Sequence, residues 1–283
     1  MEDIGDLPRI PHCLGLVSLT RSLKLPSVPS IVLSSHPIYI QLAKATTRNI
    51  SPHAIPHIKH INNNINININ MSATELKRLE KYSACDISDA LLKLSIPKAG
   101  FLPDIIPQVG SGKLLVGEIS TANFVDKGGP SSIPSNKHWV DLITPGSVLI
   151  QHQANGHRNA ILGGIMAARL DILGVHGIIT SGRVRDVDEL EEIGVPVWSK
   201  GRSTVGQGLC SKCESVNQPL FISGVVVNPG DIVVADRNGV VVIPRGRLGD
   251  VLRVLPKWVE QEDKVMKAVK GGMSVSEAFA KFR

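Results

Sequence analysis

Two short apolar runs, SVLIQ (147–151) and GIIT (177–180), enclose a longer segment, LGGIMAARLDIL (162–173). Short apolar runs bounded by turn residues are typical of buried strands, whereas the middle segment has helical spacing. The apolar residues of the predicted helix face are Ile165, Ala168 and Ile172, with Met166, Leu170 and Leu173 beside them. The stretch therefore predicts a strand, helix, strand unit and an α/β fold.

Helical and strand-like segments flank this unit. Apolar residues recur every three or four positions from Thr74 to Pro97, which predicts two short helices. Residues from Leu248 to Lys281 predict two closing helices, with a break at Gly271-Gly272. The remaining predicted strands are Lys113 to Ile119, Pro196 to Trp198, Leu220 to Val227, Asp231 to Ala235 and Gly239 to Ile243.

The composition is that of a folded, soluble protein. The 283 residues are 42% hydrophobic, with a mean hydropathy of +0.10, enough to bury a core. No uncharged apolar stretch is long enough to span a bilayer, so we expect no membrane partner. The four cysteines are too few and too irregularly spaced for a disulfide framework, which favours a reducing compartment such as the cytoplasm.

The net charge of +6 does not indicate nucleic-acid binding. Six of the 31 basic and three of the 25 acidic residues lie in residues 1–70, so the two parts of the chain each carry half of the excess. From Met71 onward the two signs are interspersed, whereas phosphate binding needs a clustered basic surface. We therefore expect no nucleic-acid partner.

Residues 1–70 differ from the rest and are predicted to be a disordered, low-complexity extension of a domain over residues 71–283. They are rich in Pro, Ser, His and Asn and end in the repeat INNNINININ (61–70). The scarcity of acidic residues after Asp6 is typical of an organellar transit peptide, but the acidic start Glu2-Asp3 is not. The alternative, which we favour, is that the working start is Met71.

Gly163-Gly164 opens the predicted central helix. Two glycines there would let a ligand approach the backbone amides of the first helical turn, which have no acceptor inside the helix and form an anion site. On their own, two glycines before a helix are more often just a tight turn.

Arg185 and Asp186 follow the next strand, in the loop SGRVRDVDE (181–189). Loops at strand ends often carry function. If a helical turn follows, Asp186 and Glu189 share one face and can both point at one hard cation. The alternative is an acidic first helical turn with Arg185 in a surface ion pair.

The combined spacing resembles the signature of the RraA-like family, which includes 4-hydroxy-4-methyl-2-oxoglutarate aldolases: a Gly, twenty residues, Arg-Asp, two residues and an acidic residue. The resemblance covers roughly Thr74 to Arg283 and is closest to fungal members. Further blocks that look like the family's are Tyr82 to Leu91, Gly201 to Gly206, Asn228 to Asp231 and Asp236 to Pro244.

The resemblance implies a β/β/α swivelling-type domain with flanking N- and C-terminal helices, assembled as a homotrimer or homohexamer with active sites at subunit boundaries. It also implies a divalent cation, Mg²⁺ or Mn²⁺. Carried over by position, Gly163, Gly164, Ile165 and Met166 would bind the substrate carboxylate through backbone amides. Arg185 would contact the keto oxygen as the catalytic residue, Asp186 would hold the metal, and Glu189 would hold a water of the metal.

This chemistry is coherent for a small 2-oxo acid. Cleavage of the C3–C4 bond of a 4-hydroxy-2-oxo acid and decarboxylation of oxaloacetate both leave the enolate of pyruvate, whose charge a divalent ion and Arg185 would stabilise. The sequence names no general base, and a metal-activated water is the default expectation. A non-enzymatic regulatory binding protein, like the family's ribonuclease E regulators, is the alternative.

Three other features are set aside. His152 and His157 flank the glycine loop, but we interpret both as surface or packing residues. The lone pair Cys210 and Cys213 lacks the further ligands that a zinc site needs. No dinucleotide-binding or Walker motif is present.

Overall fold

The computed structural model describes residues 73–110, 112–154 and 156–283. The predicted extension over residues 1–70 and the proposed start at Met71 lie outside the described residues. The domain boundary at residue 71 therefore stays a prediction.

Nine strands of the described residues form one mixed sheet, in the order β1-β13-β12-β3-β4-β6-β8-β2, and β9 also pairs with β3. These strands are β1 (Phe101–Leu102), β2 (Ile106–Val109), β3 (Leu115–Asp126), β4 (Val148–Gln153), β6 (Gly177–Thr180), β8 (Val197–Ser199), β9 (Ser211–Val216), β12 (Ile232–Asp236) and β13 (Gly239–Ile243). Two smaller pairs are β5 (Ala160–Leu162) with β7 (Arg183–Val184), and β10 (Leu220–Ile222) with β11 (Val225–Val227).

Helices cover the sheet. A helical segment over residues 73–79 precedes α1, and the helices that follow are α1 (Ala84–Lys93), α2 (Gly164–Ile172), α3 (Val187–Ile193), α4 (Leu248–Lys270) and α5 (Val275–Phe282). The two short N-terminal helices, the central helix and the two closing helices are thus confirmed. None of the helices in the described part of the chain is long and apolar enough to cross a membrane.

The centre of the sheet is parallel, and this determines where the loops after its strands lie. Strands β3, β4, β6 and β8 run parallel, whereas β12 and β9 pair antiparallel with successive parts of one edge of β3. Parallel strands need crossover connections, and α2 provides the one from β4 to β6. The loops at the carboxyl ends of these strands therefore gather at one edge of the sheet, where ligands commonly bind.

Three apolar clusters hold the layers together. One lies between the parallel strands and helices α2 and α3, and includes Phe124, Leu149 and Leu170. The second lies on the opposite face of the same strands, against β10 and β11. The third packs α1 and α4 against β12 and β13. Because both faces are covered, β4 and β6 carry consecutive apolar residues, Val148 to Ile150 and Ile178 to Ile179, as buried strands do. Their polar residues Gln151 and Thr180 are buried as well.

The predicted apolar face of α2 was wrong. Ile165 is 80% exposed and Ile172 is 75% exposed, whereas Ala167 and Leu170 are buried against the sheet. Gly164, Ala167 and Leu170 face the sheet, and Met166 and Leu173 are partly buried against the same cluster. Two large apolar side chains, Ile165 and Ile172, are left on the outer surface of the helix.

Two strand boundaries also differ from the prediction. Strand β3 continues past Ile119 to Asp126, because the fully buried Ser120 and Thr121 are hydrogen-bonded to Asn217 Oδ1 and to the carbonyl oxygen of Gln218. The predicted strand from Leu220 to Val227 is a hairpin instead. Its turn is Ser223-Gly224, where both residues have positive φ angles of 51° and 88°.

Candidate active site

The N-terminus of α2 is open and meets the segment that follows β7. Gly163 is the N-cap, and no side chain of its own caps the helix. The backbone amide of Gly164 donates to Asp186 Oδ2 at 3.3 Å, so a carboxylate from another segment occupies part of the amide site.

The two glycines allow a close approach of carboxylates. A Cβ added to Gly163 would lie 2.5 Å from Asp186 Oδ2, and a Cβ added to Gly164 would overlap Glu189 Oε2. A side chain at either position would displace the carboxylate next to it, so the glycines do more than form a turn before a helix. Asp186 and Glu189 therefore both lie at the start of α2, as their predicted common face requires.

Asp186 is held in an unusual backbone conformation. It has φ 58° and ψ 48°, the left-handed region, which costs a residue with a side chain about 1–2 kcal/mol. It is the N-cap of α3 but forms no side-chain cap there. Its carboxylate turns instead toward α2 and toward Arg185 Nε, at 3.2 Å. The strained conformation thus aims the carboxylate at the start of α2.

Arg185 is positioned by its backbone. Its amide donates to the carbonyl oxygen of Leu162 at 3.0 Å, next to the β5 and β7 ladder. The side chain is 44% exposed. Its Nη1 lies close to Gly206, because a Cβ added to Gly206 would be only 2.6 Å from it. The pair with Asp186 is the partly exposed ion pair that the alternative interpretation of this loop anticipated. Arg185 nevertheless lies at the wall of a cavity.

This cavity, of about 220 Å³, brings most of the predicted residues together. Its lining residues are Ala160, Ile161, Leu162, Gly163, Ile165, Met166, Arg185, Asp186, Gly206, Gln207 and Gly208. Of the predicted residues, Gly164 and Glu189 do not line the cavity but lie directly behind it, against each other. The loop Gly206 to Gly208 was not predicted to line the site, although Gly206 marks a place where the backbone approaches Arg185 closely.

The sequence profile of the RraA-like family, described as Aldolase/RraA, matches residues 84–242. The chain belongs to the RraA-like family. The family resemblance drawn from the Gly163-Gly164 and Arg185-Asp186 spacing is thus confirmed, and so is the α/β fold class. The closer resemblance to fungal members stays a prediction.

Two curated relatives of the RraA-like chain illustrate the similarity. Protein DlpA of Legionella pneumophila is 28% identical over 210 residues, which cover 72% of this chain and 33% of DlpA. A protein of Halalkalibacterium halodurans named "Putative 4-hydroxy-4-methyl-2-oxoglutarate aldolase" is 26% identical over 136 residues, which cover 48% of this chain and 64% of that protein. The chain therefore spans less than two thirds of the length of either relative.

Solved structures agree with the RraA-like fold. An uncharacterized protein from Pseudomonas syringae pv. tomato has a TM-score of 0.63 and 27% identity, and the match covers 73% of this chain and 96% of that one. Streptomyces coelicolor RraAS2, described as an unusual member of the RNase ES inhibitor RraA protein family, has a TM-score of 0.60 and 24% identity. This match covers 66% of this chain and 94% of that one. The second likeness shows the fold alone.

The carboxylates of this RraA-like site fit a weakly held divalent ion better than a closed metal cage. Within the described ranges, no group of three or more His, Cys, Asp or Glu residues could hold a metal. Asp186 and Glu189 supply two carboxylates at one place. Mg²⁺ is commonly bound through one or two protein carboxylates, with substrate and water completing its shell, so this donor set fits such an ion.

The two histidines beside the glycine loop do not line the cavity. His152 Nδ1 is 2.9 Å from Ser181 Oγ, and burial, followed by the charge of Lys200, lowers the pKa of His152. His157 Nε2 is 3.3 Å from Asp126 Oδ1. Both therefore have neighbours that explain them without a role in the site.

Cys210 and Cys213 have different surroundings. Cys210 is exposed, whereas Cys213 is buried on β9, and burial raises the pKa of its thiol to about 12. A thiol with so high a pKa carries almost no thiolate at neutral pH and is a poor metal ligand or nucleophile. The geometry gives no support to a zinc or redox role.

A buried amide network supports the cavity wall and was missed in the sequence. Gln153 Nε2 donates to Asn159 Oδ1 at 3.2 Å, and Asn159 Nδ2 donates to Ser211 Oγ at 2.8 Å and to the carbonyl oxygen of Ala160 at 3.3 Å. The network joins β4, β5 and β9 behind the cavity. Its members are polar residues scattered along the sequence, so they form no periodic pattern from which the network could have been predicted.

Proposed function

We propose that this RraA-like chain is a metal-dependent carbon–carbon lyase. It cleaves 4-hydroxy-2-oxo acids, 4-hydroxy-4-methyl-2-oxoglutarate in particular, to give pyruvate, and it decarboxylates oxaloacetate. The observation that carries the proposal is the juxtaposition of the open start of α2, the Arg185 guanidinium and the carboxylates of Asp186 and Glu189.

The start of α2 would bind the substrate carboxylate. Ile165 and Met166 line the cavity, and their backbone amides lie in the first helical turn, where a helix has no internal acceptor. The helix dipole adds a partial positive charge at this end. We propose that the Gly163 amide joins them, and that the Gly164 amide, which donates to Asp186 Oδ2 at 3.3 Å, is shared between Asp186 and the substrate carboxylate.

Arg185 would contact the keto oxygen and stabilise it as charge develops. Only Nε is engaged with Asp186, so the rest of its planar fork is available to the substrate. Preorganised charges aimed at a developing oxyanion are among the largest contributions to catalysis. Both cleavage and decarboxylation develop this same charge, so one site serves both reactions.

Asp186 would hold a divalent ion, Mg²⁺ or Mn²⁺, and Glu189 would hold a water of that ion. When bound, such an ion acts as a Lewis acid on the substrate carbonyl. No lysine occurs among the described residues that line the cavity, which argues against an aldolase that works through a Schiff base. The charges present therefore favour the metal-dependent class.

A coupled pyruvate assay tests the proposal. We expect turnover of oxaloacetate and of 4-hydroxy-4-methyl-2-oxoglutarate with Mg²⁺ or Mn²⁺, and its loss after chelation and in Asp186→Asn. An Asp188→Asn variant is the matched control, because Asp188 is the neighbouring carboxylate of α3 and is not part of the cavity lining. Absence of metal-dependent turnover with both substrates would contradict the proposal.

A regulatory binding protein is the second candidate, since RraAS2, with the same fold, is described within an RNase ES inhibitor family. Such a protein would show no turnover and would not depend on Asp186. We further propose a homotrimer or homohexamer, which the exposed Ile165 and Ile172 on α2 would help to form. Light scattering of the purified chain tests the subunit number.

A further inference from the structure

A second cavity, of about 470 Å³, adjoins the first. It is lined by Arg185, Asp186, Val187, Arg202, Ser203 and Thr204. Arg185 and Asp186 line both cavities, so the two cavities meet at this pair of residues. A molecule that contacts Arg185 near its middle can therefore extend into both.

Arg202 brings a positive charge to the second cavity. In the described part of the chain, no carboxylate forms an ion pair with it, unlike Arg185, which is paired with Asp186. Its Nε donates to Gln108 Oε1 at 3.1 Å, a neutral partner that fixes the guanidinium without neutralising it. The remaining donors of the planar fork are left for an anion.

The backbone of Arg202 is also fixed. Its carbonyl oxygen accepts a hydrogen bond from Arg183 Nη1 at 3.1 Å, and the residue bridges to Val184 next to β7. The amide of the following residue, Ser203, donates to the Val184 carbonyl oxygen at 2.9 Å. Ser203 Oγ accepts from the amide of Val205, which leaves its hydroxyl proton free to donate. The cavity thus combines a held guanidinium with hydroxyl donors.

We propose that Arg202, together with Ser203 and Thr204, binds the second carboxylate of a dicarboxylic 4-hydroxy-2-oxo acid. The first carboxylate lies at the start of α2 and the keto oxygen at Arg185. The inference rests on the proposed function and adds the group that selects dicarboxylic over monocarboxylic substrates. A carboxylate matches the two parallel donors of a guanidinium, which makes this contact strong and directional.

Two substrates that differ only in this carboxylate test the proposal. In 4-hydroxy-4-methyl-2-oxoglutarate, C4 carries a carboxylate that is replaced by hydrogen in 4-hydroxy-2-oxopentanoate. For Arg202→Gln we expect kcat/KM for the dicarboxylate to fall roughly tenfold to a hundredfold, the value of a charge-assisted hydrogen bond. For the monocarboxylate we expect kcat/KM to change by less than about twofold, since this substrate has no second carboxylate for Arg202 to contact.

Two further variants control the result. Arg202→Lys keeps the charge but loses the two parallel donors of the guanidinium, so kcat/KM for the dicarboxylate should be restored in part. Lys200→Gln removes a nearby charge that does not line the cavity. It should leave the ratio of the kcat/KM values for the two substrates unchanged. An equal loss for both substrates in Arg202→Gln, or no loss for either, would overturn the proposal.

Binding of unreactive acids separates this proposal from the lyase activity. With Mg²⁺ present, 2-oxoglutarate should bind the wild-type chain more tightly than 2-oxobutanoate, and Arg202→Gln should abolish the difference in calorimetry. If that difference is seen without any lyase turnover, the proposed function fails and the subsite stands. If the wild type turns over substrate but binds both acids equally, the subsite fails and the lyase stands.

Discussion

Helices α5 and α2 both begin with backbone amides that lack acceptors inside the helix, and they differ in what accepts from those amides. Helix α5 is closed by its own sequence: Ser274 Oγ accepts from the Glu277 amide, and the Glu277 side chain accepts from the Ser274 amide. Helix α2 has Gly163 instead, and its first acceptor, Asp186, comes from another segment.

The difference agrees with a structural role for the start of α5 and with the ligand site that we propose at the start of α2. A capping box satisfies two of these amides with side chains of the helix itself, so they are not available to a ligand. At α2 the acceptor is a carboxylate held by a strained backbone beside a cavity, an arrangement that a substrate or ion can join. Substitutions at the two helix starts should therefore affect different properties.

The largest effect is expected at Arg185. Arg185→Ala should lower kcat by about 10²–10³-fold, because the charge it meets is greatest in the transition state. Its ion pair is partly exposed, so the free energy of unfolding should change by only about 0–1 kcal/mol. Steady-state kinetics measure kcat, and urea denaturation measures the free energy of unfolding.

Arg169→Ala is the matched control for that variant. Arg169 is 43% exposed and pairs with Asp141 at 2.8 Å, outside the cavity. It should show the same small change in stability and an unchanged kcat. If both arginine variants lost stability and activity alike, Arg185 would be a structural ion pair and no more.

A smaller loss is expected when a methyl group is added at the start of α2. In Gly164→Ala the new Cβ meets the Glu189 carboxylate, which must move. Displacing a positioned group should lower kcat/KM roughly tenfold to a hundredfold. Gly249→Ala, in the first turn of α4, meets open space and should stabilise the fold by about 0.5–1 kcal/mol with unchanged kinetics. Equal kinetics for the two variants would show that the position of Glu189 does not matter.

The smallest effect is expected at α5. Ser274→Ala should lower the free energy of unfolding by about 1 kcal/mol and leave kcat/KM unchanged. The hydrogen bonds from Ser274 hold the pKa of Glu277 below its ordinary value, so they stabilise the fold only while Glu277 is ionised. The stability difference between wild type and variant should therefore shrink as the pH falls below about 4. A difference that grew at low pH would contradict the capping-box explanation.

The sequence predicted the framework of the fold because its strongest signals are local. The β4, α2 and β6 unit follows from apolar periodicity, and the two closing helices follow from spacing and from Gly271-Gly272. The site residues came from a spacing that places Gly164 and Arg185 on neighbouring elements, and the structure brings Gly163, the residue before Gly164, and Arg185 to one cavity.

What escaped prediction depends on tertiary contacts. The exposure of Ile165 and Ile172 reflects which side of α2 meets the sheet, which helical periodicity alone does not determine. The continuation of β3 through Ser120 and Thr121 depends on partners 97 residues away in the chain. The position of the loop that carries Arg202 depends on its bridge to Val184, another non-local contact.

Exchange of the methyl protons of pyruvate in D₂O, followed by NMR, tests the site most directly. Because cleavage releases an enolate that must be protonated to pyruvate, the reverse step requires the same site to remove a methyl proton. We predict exchange by the wild-type chain with Mg²⁺ or Mn²⁺, and its loss on chelation and in Asp186→Asn. No exchange by the wild type, or equal exchange by Asp186→Asn, would contradict a lyase built on Gly163-Gly164, Arg185 and Asp186.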